Sequence, residues 1–211
     1  MRAAMVAVAL LFAVAGCGGN DEPAASVNGE CKSVEAPAAR EPETREAPTG
    51  PLAAGASYGL VFETTCGTFT VALDTGLAPN TAASLVALAR EGYFDDTVFH
   101  RIVPGFVIQG GDPTQTGSGG PGYSTVDVPP SDARYTKGTV AMAKSRVEAP
   151  GTAGSQFFVV TAEDASLPPE YAVVGKVTDG LDVVERIGAL GDANEQPTQP
   201  VVIRAVTVTE G

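Results

Sequence analysis

Apolar positions along this chain fall into short alternating runs, not long helical stripes. Residues 58–65 (YGLVFETT) and 67–74 (GTFTVALD) flank Cys66-Gly67. In the second run Phe69, Val71 and Leu73 alternate with Thr68, Thr70, Ala72 and Asp74. That period of two puts one strand face in and the other out, so the pair reads as a β-hairpin. Pro79 opens a helix where a missing N–H costs nothing. Ala82, Leu85, Val86 and Ala89 make its apolar stripe, and Gly92 ends it. A turn over 93–96 leads into FHRIVPGFVIQGGD (99–112), two short strands around Pro104-Gly105. A Gly-rich loop, PTQTGSGGPGYS, occupies 113–124. Strand patterns recur over 138–143, 156–161, 171–177 and 201–209, and a short helix fits 181–189. Many short strands with few helices, no internal repeat and no second domain point to an antiparallel barrel or sandwich.

The pattern changes upstream of residue 58. Arg2 is followed by an apolar run over 3–15, too short for a comfortable permanent span, as in a signal peptide. It ends in Val14-Ala15-Gly16-Cys17, which resembles a bacterial lipobox. The expected division is a signal peptide over 1–16, a lipidated Cys17 opening a tether over 17–57, and one folded domain over 58–211. The tether holds no aromatic residue and is rich in Ala, Pro and Glu. Such a segment is expected to be disordered, extended and fairly stiff, holding the domain away from a membrane. With Cys17 assigned to lipid, Cys31 and Cys66 are left either as a disulfide or as two free thiols. These features place the protein outside the cytoplasm, lipid-anchored to the bacterial cell membrane.

Composition narrows the chemistry. The 211 residues carry a net charge of −12 and no tryptophan. No basic footprint for nucleic acid is visible. GSGGPG at 117–122 formally matches a dinucleotide fingerprint, but Pro121 and Gly122 prevent the helix it must open. A single histidine, His100, and cysteines without ligand spacing argue against a metal site. Ser155 lacks the second glycine of a nucleophile elbow. His100 reads as a hydrogen-bonding structural residue, and no cofactor is implied.

FHRIVPGFVIQGGD, then GSGG, AMAKS at 141–145, GTAGSQFFVVT at 151–161 and YAVVGKV at 171–177, resembles the cyclophilin-type peptidyl-prolyl cis-trans isomerases from about residue 58 to 209. The resemblance implies an eight-stranded antiparallel β-barrel capped by two α-helices, acting on proline-containing polypeptides as a monomer. It implies that Arg101 is the catalytic arginine and that Gln109 orders it and contacts the substrate carbonyl. Phe106 and Phe158 would be the floor and wall of a proline pocket that Leu167 closes. Gln156 matches another groove residue, Gly117 lines the neighbouring pocket, and Ala143, Lys144 and Ser145 form the edge that grips the residue before proline.

Several positions depart from the family pattern. Val107 replaces a methionine, Lys144 an asparagine, and Tyr171 stands where many members have histidine. Ser166 replaces the tryptophan that helps hold cyclosporin, so weak inhibition by the drug is expected. The segment 146–153 is longer than the usual loop. Two function classes remain: a foldase acting on X–Pro bonds of exported proteins, and a non-catalytic module or chaperone that holds Pro-containing segments.

Overall fold

The computed structural model describes residues 29–211. Its chain order is β1 (Tyr58–Thr64), β2 (Gly67–Leu73), α1 (Pro79–Arg90), β3 (Thr97–Val98), β4 (Arg101–Val103), β5 (Val107–Gly110), β6 (Thr125–Val126), β7 (Thr139–Met142), β8 (Thr152–Ala153), β9 (Phe157–Val160), β10 (Val173–Asp179), α2 (Leu181–Gly188) and β11 (Val202–Glu210). Nine strands form one antiparallel sheet in the order β3-β11-β1-β2-β10-β7-β9-β5-β4, and β6 pairs with β8 apart from it. The two edge strands of the large sheet, β3 and β4, are separated in sequence only by Phe99 and His100. The sheet must therefore curl until its edges meet, which gives the barrel-like form. The expected eight strands become nine in the curled sheet, with two α-helices as anticipated. The two-residue strands β3, β6 and β8 carry too little periodicity to be read from sequence.

The first hairpin sets the interior. Phe62 pairs with Phe69 across β1 and β2, and their rings stack at 4.8 Å. Phe157 of β9 and Phe94 and Phe99 of the intervening loops join that cluster, and Leu85 and Leu88 of α1 and Val184 and Ile187 of α2 close it from the two ends. Helix α1 buries more than its apolar stripe, because Thr81 and Ser84 are also covered. Ala78 offers no side-chain cap at its start. Asp127 does so from a distant loop: its Oδ2 accepts from Thr81 N at 2.7 Å and Thr81 Oγ1 at 2.6 Å, and its Oδ1 from Asn80 Nδ2 at 2.9 Å. A carboxylate there satisfies orphan N–H groups and complements the helix dipole.

The described part of the upstream segment differs from the disordered tether expected. Residues 29–57 contain no helix or strand, yet they lie against the domain. Cys31, Val34, Pro37, Arg40 and Glu43 are partly buried, and every residue between them is exposed. A period of three is that of a polyproline II helix, which Pro37 and Pro42 favour by fixing φ. The strap is tied by backbone hydrogen bonds from Lys32 N to Thr65 O (2.8 Å), Arg40 N to Pro113 O (2.9 Å) and Arg45 N to Pro121 O (2.8 Å). At its start Cys31 and Cys66 are joined, with a Cα–Cα separation of 3.9 Å. The ordering entropy that argues for disorder is offset here by a covalent bond and by main-chain partners on the domain, neither of which a composition argument weighs. The signal peptide and Cys17 lie outside the described residues.

Candidate functional site

Register alone assembles the first row of the site. Arg101 pairs with Gln109, Gln109 with Phe158, and Phe158 with Ala141, so four strands, β4, β5, β9 and β7, present these side chains on one face. Two residues further along, Val103, Val107 and Val160 make a second row on that face. The intervening residues, Ile102, Ile108, Phe157 and Val159, point into the main core. Strand β9 (FFVV) is thus buried on both faces, the barrel interior on one side and a second apolar cluster on the other.

That second cluster is the floor of the site. Val107, Tyr135, Ala141, Phe158 and Val160 are buried in it, and Phe106, Ala143, Leu167 and Tyr171 pack on it while remaining partly exposed. Phe106 is held in the β4–β5 turn, where its N–H donates to Val103 O at 3.0 Å and its carbonyl accepts from Thr161 N at 2.9 Å. The Tyr171 ring stands edge-on to Phe158, with centroids 5.6 Å apart. Tyr135 Oη fixes the Tyr171 backbone, donating to its carbonyl at 2.8 Å and accepting from its N–H at 3.0 Å.

Beside this floor runs a polar chain. Arg101 Nη1 donates to Gln109 Oε1 at 3.2 Å, Gln109 Nε2 to Gln156 Oε1 at 3.1 Å, and Gln156 Nε2 to Gly119 O at 2.9 Å. The chain fixes both amide orientations. Arg101 is also held at its other edge, where Nε donates to Glu195 Oε2 at 2.7 Å. Glu195 accepts Ile102 N–H through its own carbonyl at 3.0 Å and has a positive φ of 64°. The guanidinium is thereby oriented while its remaining N–H groups stay available. Glu195 went unread in the sequence, since it lies in a polar turn 94 residues away and carries no motif.

A cavity of about 1180 Å³ with a mixed polar and apolar lining continues the groove from Gln109, Gln156 and Ala143 to Lys144, Ser145 and Gly117. Its loop wall is organised by Asp112, which is fully buried. That carboxylate accepts from Thr114 N (2.8 Å), Gly117 N (2.7 Å) and Gly119 N (3.1 Å). Burial alone would raise its pKa, but the hydrogen bonds from Thr114, Gly119 and Gly117 outweigh it and hold the carboxyl below its ordinary value. The preceding Gly111 has φ +86°, and a Cβ there would lie 2.4 Å from Ser155 O, so the second glycine of QGGD is sterically required.

Other expected residues take more structural parts. The Lys144 ammonium is held by its neighbours, 3.1 Å from Glu170 Oε2 and 5.5 Å from the Tyr171 ring centroid, and it donates to Glu148 O at 3.2 Å. With the Lys144 charge engaged by Glu170, the backbone of residues 143–145 can serve as the edge. Ser155 is buried and donates to Gly111 O at 2.7 Å. The His100 ring is buried beside the Gln156 side chain, which favours its protonated form, and neither ring nitrogen makes a hydrogen bond of full geometry among the described residues. Burial pushes its pKa down, opposed by Asp112 and Gln156 and reinforced by Arg101.

Comparison with known proteins identifies the family. The model of the cyclophilin type peptidyl-prolyl cis-trans isomerase/CLD family matches residues 60–208. The peptidyl-prolyl cis-trans isomerase-like 1 of Aspergillus oryzae is 39% identical over 158 residues, covering 72% of this chain and 96% of its own. The probable peptidyl-prolyl cis-trans isomerase A of Mycobacterium leprae is 41% identical over 148 residues, covering 66% of this chain and 80% of its own. A crystal structure of a Cryptosporidium parvum cyclophilin-type isomerase superposes with a TM-score of 0.67 at 30% identity, covering 72% of this chain and 98% of that one. The same protein crystallised in the presence of the dipeptide Ala-Pro gives a TM-score of 0.66. This chain belongs to the cyclophilin-type peptidyl-prolyl cis-trans isomerase family.

Proposed function

We propose that the protein accelerates X–Pro bond rotation in exported polypeptides, with Arg101 as the group that stabilises the twisted state. Rotation must break amide resonance, a barrier of roughly 18–20 kcal/mol. In the twisted state the proline nitrogen becomes pyramidal and gains a lone pair. A guanidinium N–H aimed at that nitrogen binds the twisted state and not the planar ones, which is the condition for lowering the barrier. The proline ring sits on Phe106, Phe158 and Leu167, with Val107 beneath and Tyr171 beside it. The backbone of Ala143, Lys144 and Ser145 takes the residue before proline, and Gln109 holds the substrate carbonyl. No proton is transferred and no cofactor takes part.

The observation that carries this reading is the double fixation of Arg101, by Glu195 at Nε and Gln109 at Nη1. A guanidinium already oriented loses little freedom when it donates to the reacting nitrogen. Isomerisation of a proline peptide by the wild type and by Arg101→Ala tests it. The wild type turns the peptide over and the variant loses most of that rate while still binding. Equal rates would remove Arg101 from the mechanism, and binding without turnover in the wild type would establish a Pro-segment binding module instead. The Cys31–Cys66 bond suits an oxidising compartment. It supports placement outside the cytoplasm; the lipid anchor at Cys17 rests on the lipobox-like Val14-Ala15-Gly16-Cys17 alone, and the monomeric state on the family resemblance.

A further inference from the structure

Part of the wall of the cavity beside the proline floor does not belong to the barrel. Pro42, Glu43 and Thr44 of the strap line it, as do Ala143, Lys144 and Ser145 of the domain edge. The charges here are balanced: Glu43 Oε2 accepts from Arg45 at 2.9 Å and its Oε1 lies 3.8 Å from Arg40, while the Lys144 ammonium lies 3.1 Å from Glu170. The main chain is not so satisfied. Arg40 N and Arg45 N donate to Pro113 O and Pro121 O, but between them the N–H groups of Glu41, Glu43 and Thr44 and the carbonyls of residues 40–44 meet no partner among the described residues. The Lys144 N–H and the Ala143 and Lys144 carbonyls are equally unpaired there. The strap is nonetheless fixed. The Arg40 and Arg45 guanidinium groups lie 5.6 and 5.7 Å from the Tyr93 ring centroid, and Gln115 Nε2 donates to Pro37 O at 2.9 Å. Gly122 makes room for it, since a Cβ there would lie 2.7 Å from Thr44 Cγ2. A backbone held in place with free donors and acceptors is the surface to which extended peptides add as strands.

We propose that the strap is a second main-chain edge of the substrate groove, gripping the residues upstream of the X–Pro bond as extended backbone and selecting unfolded chains by length, whatever their side chains. The proposal rests on the isomerase reading, in which the edge at 143–145 takes X itself. Each residue before X advances roughly 3.3 Å in an extended chain, into the cavity that both edges line. That cavity, about 1180 Å³, exceeds the roughly 300–1,000 Å³ of small-molecule sites and suits several residues of polypeptide. Because the strap lies outside the family match over 60–208, the second edge belongs to this chain's own extension.

The test measures kcat and KM of the full-length protein on proline peptides with one to four alanines before proline. In the wild type KM falls by about fivefold from the shortest to the longest, the worth of one net main-chain hydrogen bond, while kcat barely moves. Replacing the outermost alanine with Glu, Lys or Leu shifts KM by less than about twofold, below the usual yield of an exposed ion pair. Arg40→Ala combined with Arg45→Ala frees the strap from Tyr93 and brings the length ratio to about one. A benzophenone on the outermost residue labels the tryptic fragment 41–45 of the wild type, which judges the strap even where the double variant fails to fold. A length ratio near one in the wild type, a ratio unmoved in a folded double variant, a charge preference larger than the length effect, or label confined to residues 58–211 overturns it. Should no peptide be turned over, the isomerase reading fails by itself, and the same length ratio taken from dissociation constants judges the strap.

Discussion

Arg101 and Glu195 are 94 residues apart in sequence and meet at 2.7 Å, the carboxylate taking the Nε edge of a guanidinium whose Nη1 is held by Gln109. The pair is half-exposed, so its value lies more in orientation than in stability. Replacing Arg101 with Ala removes the donor itself and should lower kcat by about 100-fold or more, the scale of losing one transition-state hydrogen bond. Glu195→Gln keeps an acceptor of similar shape but no charge, and should lower kcat by about fivefold or less with KM little changed. A rise in KM alone would assign Glu195 to binding instead of positioning.

The two phenylalanines of the floor should separate binding from stability. Phe158 is 5% exposed and packed on both strand neighbours, so Phe158→Ala should cost about 3–5 kcal/mol in denaturant unfolding. Phe106 is partly exposed in a turn, and Phe106→Ala should cost about 1 kcal/mol or less while raising KM. Equal stability losses would place Phe106 in the core.

Acid sensitivity should trace to Asp112. Its folded pKa is depressed by the hydrogen bonds it accepts. The stability it contributes is therefore complete above the unfolded value of about 3.9 and lost as pH falls through the lower folded value. Asp112→Asn should be about 2 kcal/mol less stable at pH 7, and the two proteins should converge in strong acid. Thermal unfolding across pH 2–7 measures this, and a gap that persists undiminished in acid would rule out the carboxylate as its source.

Reduction of Cys31–Cys66 should lower stability by about 3–4 kcal/mol, the loop-closure value for a sequence separation of 35. Mass spectrometry should show one bond's worth of hydrogen gained on reduction. Thiol labelling of the unreduced protein at both positions would mean that the strap is held by its hydrogen bonds alone.

Much of the site was legible because motif and register coincide. Arg101, Phe106, Gln109, Gln156 and Phe158 fall in two short segments, and strand alternation then puts Arg101, Gln109 and Phe158 on one face. The hairpin over 58–74 and helix α1 were readable for the same local reasons, period two and Pro79 at the start. Glu195, Asp127 and the strap were not. Each acts through a partner distant in sequence, and a polar turn, a lone carboxylate or a Pro/Ala/Glu stretch gives no sign of where the fold will put it. The strap is the clearest case. Composition predicts that it cannot form a core, and it does not, but it finds a surface whose main-chain groups complement its own.

The position of the disulfide at the start of the strap has a mechanical consequence. A pull on the N-terminus reaches Cys31 and passes through the sulfur–sulfur bond into the β1–β2 turn at Cys66, which is anchored in the sheet. Residues 32–57 form a closed loop behind that junction and carry no tension. A chain tugged from its end would keep Arg40 and Glu43 seated at the groove rim, and only a reduced chain would peel.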